Sequence, residues 1–252
     1  MRNIFILAFS LTCLNTINAQ DATKLVKEKK ETSKPTATLK KPTVAHPSDH
    51  FLIQFGSDSW VSKPDSARTN GGRHFNFYLM TDKPFKTNPK YSVAYGIGIG
   101  SSNIYFDKTF VEITSKNTKL PFRNQEGSNH FAKFKLTQIF LELPVELRYT
   151  LNPENSGKSW KFAVGAKVGT LLKAYTKGKD WQDKNNISIN GPSYISKEYS
   201  KNFFNTTRLS FTGRVGYGNF SLSAAYVVTP ALKTGNSPDL NTLSIGLTVS
   251  GL

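Results

Sequence analysis

Cysteine is almost missing from this chain: one occurs in 252 residues, Cys13, and it lies inside an N-terminal leader. Arg2 forms a short basic start, Ile4 to Leu14 an apolar stretch, and Ile17-Asn18-Ala19 leads to Gln20. Residues 1–19 read as a secretory signal peptide. Leu11 and Thr12 before Cys13 do not make a lipoprotein signal. The exported chain is then cysteine-free, which excludes disulfides, thiolate chemistry and zinc–thiolate sites. Beyond the leader no run approaches the ~20 continuous apolar residues of a spanning helix. Two states remain: soluble after export, or inserted by the other permitted route, a closed β-barrel. Histidine is scarce too. His46, His50, His74 and His130 show no His–Ser or His–Asp grouping and no metal-ligand spacing. The expectation is therefore no enzyme, with no catalytic residue, no cofactor and no metal.

Acids are few beside bases, 17 against 33, for a formal charge of +16, or +15 once Arg2 leaves. Such a balance suits anionic surroundings, such as lipopolysaccharide phosphates or a polyanionic wall. Solubility and loop solvation account for it equally. Nucleic acid is not an expected partner of an exported chain. Residues 20–49 are a segment apart: between 20 and 48 there are seven lysines, three prolines and no aromatic residue. This composition predicts a basic, disordered periplasmic tether.

From residue 50 to 252 the chain changes to alternation at the period of a strand. The segments begin with 50–56, 73–81 and 91–106, then 135–153. The second half adds 160–177, 207–218, 220–228 and 242–252. No segment makes a long amphipathic helix. The connections alternate too: long ones near 57–73, 106–133, 178–203 and 229–241, short ones near 82–90 and 151–159 and at Gly218-Asn219. Outer-membrane barrels keep long loops outside and short turns in the periplasm. The fold expected is all-β, an eight-stranded antiparallel up-and-down transmembrane barrel.

Alternation alone does not say which face meets lipid. Side-chain size does. The second face of several strands is Gly, Ala and Ser rather than Lys and Glu, as in Gly96, Gly98 and Gly100. Small residues suit a narrow lumen into which larger neighbours project. The glycines sit at strand period, so no phosphate-binding turn is read from them. Aromatics gather where two interfacial belts should lie. Tyr91, Tyr149, Trp160, Tyr217 and Phe220 mark the turn ends; Trp60, Tyr105, Phe106, Phe134, Tyr175 and Phe204 mark the loop ends.

In "KLTQIFLELPVELRYTLNP" (135–153), Ile139, Leu141, Leu143, Val145 and Leu147 are assigned to lipid. The other face gives a candidate lumen charge cluster: Glu142, Glu146 and Arg148, with Lys167, Lys173, Arg208 and Arg214 from the next two strands. Opposite charges there can meet across the ladder. A salt-bridged plug is expected, ahead of a selective pore lining or paired carboxylates for acid–base chemistry. Pro144 cannot donate to a ladder, and a bulge is expected there.

"FLELPVELRYTL" (140–151), a short polar turn and "KFAVGAKVGTLLKAYTKGK" (161–179) resemble the PorT-like outer-membrane β-barrel family of bacteroidete-type Gram-negative bacteria. Leu141, Glu142, Leu143 and Pro144 match its Leu-Glu-Ile/Leu-Pro strand; Gly165 and Gly169 match the glycine-spaced strand that follows. The resemblance implies an eight-stranded outer-membrane barrel over about residues 50–252 and no catalytic residues. It also implies, for some members, a part in protein secretion. The function expected is non-enzymatic, structural or interactive, in contact with outer-membrane lipid and lipopolysaccharide and open to other envelope or secretion proteins. A secretion accessory, a narrow pore and a lipid-modifying enzyme are the alternatives.

Overall fold

The computed structural model describes residues 51–251 apart from 62, 64 and 234–239. The expected signal peptide and tether, residues 1–49, and His46 and His50 lie outside the described residues. Eleven strands are present: β1 Phe51–Val61, β2 Thr69–Pro84, β3 Tyr91–Phe106, β4 Thr109–Val111, β5 Phe122–Asn124, β6 His130–Thr150, β7 Trp160–Gln182, β8 Ile195–Tyr199, β9 Thr207–Tyr217, β10 Phe220–Val227 and β11 Asn241–Ser250. Eight of them close a ring: β1-β2-β3-β6-β7-β9-β10-β11, with β11 returning to β1. Every pair is antiparallel and every neighbour is next along the ring in sequence. This is the up-and-down barrel expected. A ring leaves no unpaired edge in the apolar layer, where an unsatisfied peptide group is costly.

The other three strands lie in two of the long connections. β4 and β5 pair as a hairpin in the β3–β6 connection, and β8 pairs with the far end of β7. β6 and β7 run 21 and 23 residues, well past what a bilayer needs, so their far halves and β8 continue the wall upward. The only helical piece among the described residues is a 3-10 turn at Pro153–Lys158. No described helix is long and apolar enough to cross a membrane.

Burial is inverted relative to a water-soluble barrel. Phe75, Ile99, Leu143, Val145, Val164, Phe211, Leu222 and Ile245 are all exposed, and Asp58, Glu142 and Thr248 are at most 1% exposed. Each large apolar side chain left in water forgoes about 1.5–3 kcal/mol, so a belt of this size would cost tens of kcal/mol. Lipid removes that cost. On β6 the lipid face runs from Ile139 to Leu147, ending at Tyr149. The ten residue steps from Tyr149 to Ile139, ~33 Å along a strand tilted ~40°, span about 25 Å of bilayer. Cross-strand ring contacts form the belt at the turn end. Tyr91 and Tyr149 have centroids 5.0 Å apart, Tyr149 and Phe162 6.4 Å, and Trp160 and Tyr217 5.8 Å.

The loop-end belt departs from expectation. Tyr105 and Tyr175 stay on the outer wall, but Trp60, Phe106, Phe134 and Phe204 are 7%, 5%, 5% and 0% exposed. They pack with Ile104, Leu136, Phe140 and Leu171 and with loop residues Val111, Ile113, Leu120, Phe203, Leu232 and Leu240 into one apolar plug. The parity of these strand residues is the lumen parity. Above the lipid layer the long loops fold over the barrel mouth, and the inward face there meets protein rather than charge.

Pro144 also departs from expectation. No bulge occurs there: Pro144 pairs with Lys167 on β7, and the register with β3 is the same on both sides of it. The β3 ladder simply lacks pairs for Leu143 and Pro144 opposite Ile97 and Gly96, the side on which a missing N–H removes a bond. The bulge lies instead on β7, where Leu172 is left over between Ile139↔Lys173 and Phe140↔Leu171.

Candidate functional site

Side chains from seven strands fill the lumen in three layers. Nearest the turn end, Glu146 Oε2 accepts hydrogen bonds from Arg148 Nε and Arg214 Nη2, both at 2.9 Å. Arg148 stands two residues along the same strand, hence on the same face; Arg214 reaches across from β9. All three are buried.

The middle layer is built on Glu142, 1% exposed. Tyr78 of β2 donates to Glu142 Oε2 at 2.5 Å. Lys167 Nζ lies 3.3 Å from the same oxygen and donates to Tyr78 Oη at 3.1 Å. Arg208 Nη1 is 3.8 Å from Oε1, and its guanidinium covers the Phe140 ring at 4.8 Å. A buried carboxylate is tolerable only with such saturation by cations and donors.

The third layer was not legible in the sequence. Asp58 of β1, 0% exposed, holds His74 Nδ1 at 2.8 Å and accepts hydrogen bonds from Ser102 and, at 2.6 Å, from Ser244. A His–Asp grouping therefore exists, contrary to the expectation. Its parts come from β1, β2, β3 and β11, which are far apart in sequence and adjacent only when the ring closes. Alternation could have placed Asp58 inward, had the first strand been carried past Gly56. Alternation along β2 puts Tyr78 on the same inward face as His74, but nothing in it says that Tyr78 donates to Glu142.

Of the seven residues assigned to the cluster, six meet there: Glu142, Glu146, Arg148, Lys167, Arg208 and Arg214. Lys173 does not. The extra residue at Leu172 leaves both Leu172 and Lys173 outside and restarts the inward parity at Ala174. Lys173 lies against the Tyr199 ring at 4.8 Å on the outer wall. One inserted residue reverses the face of all that follows. His130 is buried in the loop region, with Ser128 O at 3.0 Å and Asn186 Oδ1 at 3.2 Å, a fastening rather than a lumen group.

The glycines of the polar face make the room. A Cβ on Gly100 would meet Glu142 Oε2 at 2.8 Å, one on Gly246 would meet His74 Nε2 at 2.9 Å, and one on Gly98 would meet Tyr78 Cδ1 at 2.4 Å. Large polar groups therefore lie over glycines of neighbouring strands. Small cavities remain in the lumen, among them one beside Arg208 and Gln138 and one beside His74 and Arg214. Each has a volume of about 20 Å³, room for about one water molecule. No group of three His, Cys, Asp or Glu suited to a metal occurs among the described residues.

An antiparallel ring with an apolar exterior, an aromatic belt and a salt-bridged interior defines a transmembrane β-barrel protein. The chain belongs to the outer membrane protein beta-barrel domain family, whose profile matches residues 59–231. It is thus an outer-membrane barrel protein. No curated protein matches it. Among solved structures it is similar to Ail, the attachment invasion locus protein of Yersinia pestis, crystallised with the heparin analogue sucrose octasulfate. Identity is 14%, with 79% of this chain and 94% of Ail covered, at a TM-score of 0.31.

Proposed function

We propose that the protein is a non-conducting, non-enzymatic barrel that anchors an interaction platform at its loop end. The observation that carries this reading is the contrast along the barrel axis. The lumen is occupied by ion pairs and then by an apolar plug, while β6, β7 and β8 extend the wall beyond the lipid belt. A filled lumen suits neither a conduit nor an enclosed reaction chamber. The Asp58 layer resembles hydrolase chemistry only in composition. Both serines donate to the aspartate, and among the described residues no serine is hydrogen-bonded to His74, so the layer does not present the nucleophile–base contact of a hydrolase. By the usual sidedness of such barrels, the platform faces outward and the N-terminal tether occupies the periplasm.

Planar-bilayer recording tests this directly. The wild type and the Glu142→Gln and Arg148→Gln variants are expected to give a silent bilayer. Stable unitary conductance of the wild type, altered by either change, would establish the pore instead. A second reading, a PorT-like accessory of protein secretion, is favoured by the Leu141–Pro144 strand and by the free edge that β8 presents for strand pairing. Co-purification with a multi-protein envelope complex would support it; a lone monomer after crosslinking in intact cells would remove it.

A further inference from the structure

The outer wall just above the lipid belt opposes lysine to lysine. The register places Lys135 of β6 beside Lys177 of β7, and Lys177 beside Lys197 of β8. In the next outward row Lys133 faces Lys179. Like charges directly opposite destabilise a sheet. Among the described residues, Lys133, Lys177, Lys179 and Lys197 have no ion-pair partner. The acid of β8, Glu198, points to the other face, beside buried Thr176. An anion from outside the chain lying over these rows relieves that repulsion.

Directly beneath, the bulge opens a groove of about 370 Å³ lined by Leu172, Lys173, Ala174, Tyr199, Ser200 and Lys201. It sits where β9 stops pairing with β7 and β8 begins. Lys173 pairs with Ile139, the last residue of the lipid face of β6, so the groove straddles the boundary between hydrocarbon and headgroup. Leu172, 46% exposed, offers an apolar lower lip, and the two lysines and Tyr199 an upper polar one. This amphipathic sequence of apolar floor, aromatic edge and cations fits one kind of occupant.

We propose that the groove and the lysine rows above it bind a phosphate-bearing headgroup of an outer-leaflet lipid, its acyl chain continuing along Leu172 and the lipid face of β7. The inference rests on the barrel and its loop-outward placement proposed above. It deepens that reading by assigning a lipid partner to one wall of the platform. The bulge is the device that makes the site, because regular alternation would have sent Lys173 into the lumen.

The test uses the full chain refolded into nanodiscs of zwitterionic lipid holding bisphosphorylated or dephosphorylated lipid A at equal mole fraction. Lipid retained through detergent washing is counted by native mass spectrometry, and the folded state of each sample is checked by heat-modifiable gel mobility. The wild type is expected to retain the bisphosphorylated lipid at least tenfold better than the dephosphorylated one. Lys173→Gln with Lys201→Gln, and separately Lys135→Gln with Lys177→Gln and Lys197→Gln, should each lower that retention about tenfold. Equal retention of the two lipids, or unchanged retention in both folded variants, overturns the proposal and leaves the barrel reading standing. Displacement of the lipid by millimolar inorganic phosphate or by a soluble sulfated polysaccharide also overturns it, since the site would then serve a free anion. A wild type without folded mobility overturns the barrel reading first.

Discussion

At the scale of the residue, the interior is held by a few groups that cannot be changed singly. Glu146 pairs with two guanidinium groups at 2.9 Å each. Glu146→Ala leaves both buried without this partner, and removing one member of a buried pair costs about 3–5 kcal/mol. Urea unfolding in detergent micelles should show that loss, whereas Tyr78→Phe, which removes one donor to a carboxylate, should cost about 1.5–3 kcal/mol. Glycines separate by face. Gly100→Ala drives a methyl toward Glu142 and Asn76 and should destabilise by about 1–3 kcal/mol. Gly213→Ala meets nothing within 4 Å and should lie within about 0.5 kcal/mol of wild type. Six members of the charge cluster were legible from parity alone. The grouping of the third-layer aspartate, histidine and serines was not, because nothing local in a sequence says which distant strands close a ring.

At the scale of the element, parity is both the informative signal and the fragile one. It gave the lipid face of β6 from Ile139 to Leu147, and the glycine-lined faces of β3 and β7. It failed at Lys173, because a bulge leaves no signature in a strand whose residues on either side alternate normally. It failed again at Trp60, Phe106 and Phe134, where aromatic residues near a strand end suggest a belt in either orientation. Strand ends were too short in the reading because lysines, threonines and glycines outside the bilayer still pair but no longer alternate in polarity. Deletion of Leu172 should be tolerated, since it joins Leu171 to Lys173 in plain alternation and keeps Ala174 inward. Deletion of Val164, which has no bulge to absorb it, shifts inward residues such as Ala163 and Lys167 out of phase. Heat-modifiable mobility should persist in the first variant and vanish in the second.

At the scale of the whole molecule, the account rests on inversion: polar and small inside, apolar outside. The alternation of long and short connections already implied a barrel with two unlike ends. What closes the lumen at the loop end, an apolar plug drawn from three connections, depends on long-range packing that composition does not reveal. The inversion predicts a pattern that no water-soluble barrel would give. β10 suits the test, since Cys13 is the only native cysteine and the lumen positions there are serines and an alanine. Single cysteines at residues 221–226, labelled with an environment-sensitive fluorophore in vesicles of chain-brominated lipid, measure directly which side chains touch hydrocarbon. Strong quenching is predicted at Leu222, Ala224 and Tyr226, and little at Ser221, Ser223 and Ala225. Uniform quenching, or quenching at the serines alone, would contradict the inverted barrel.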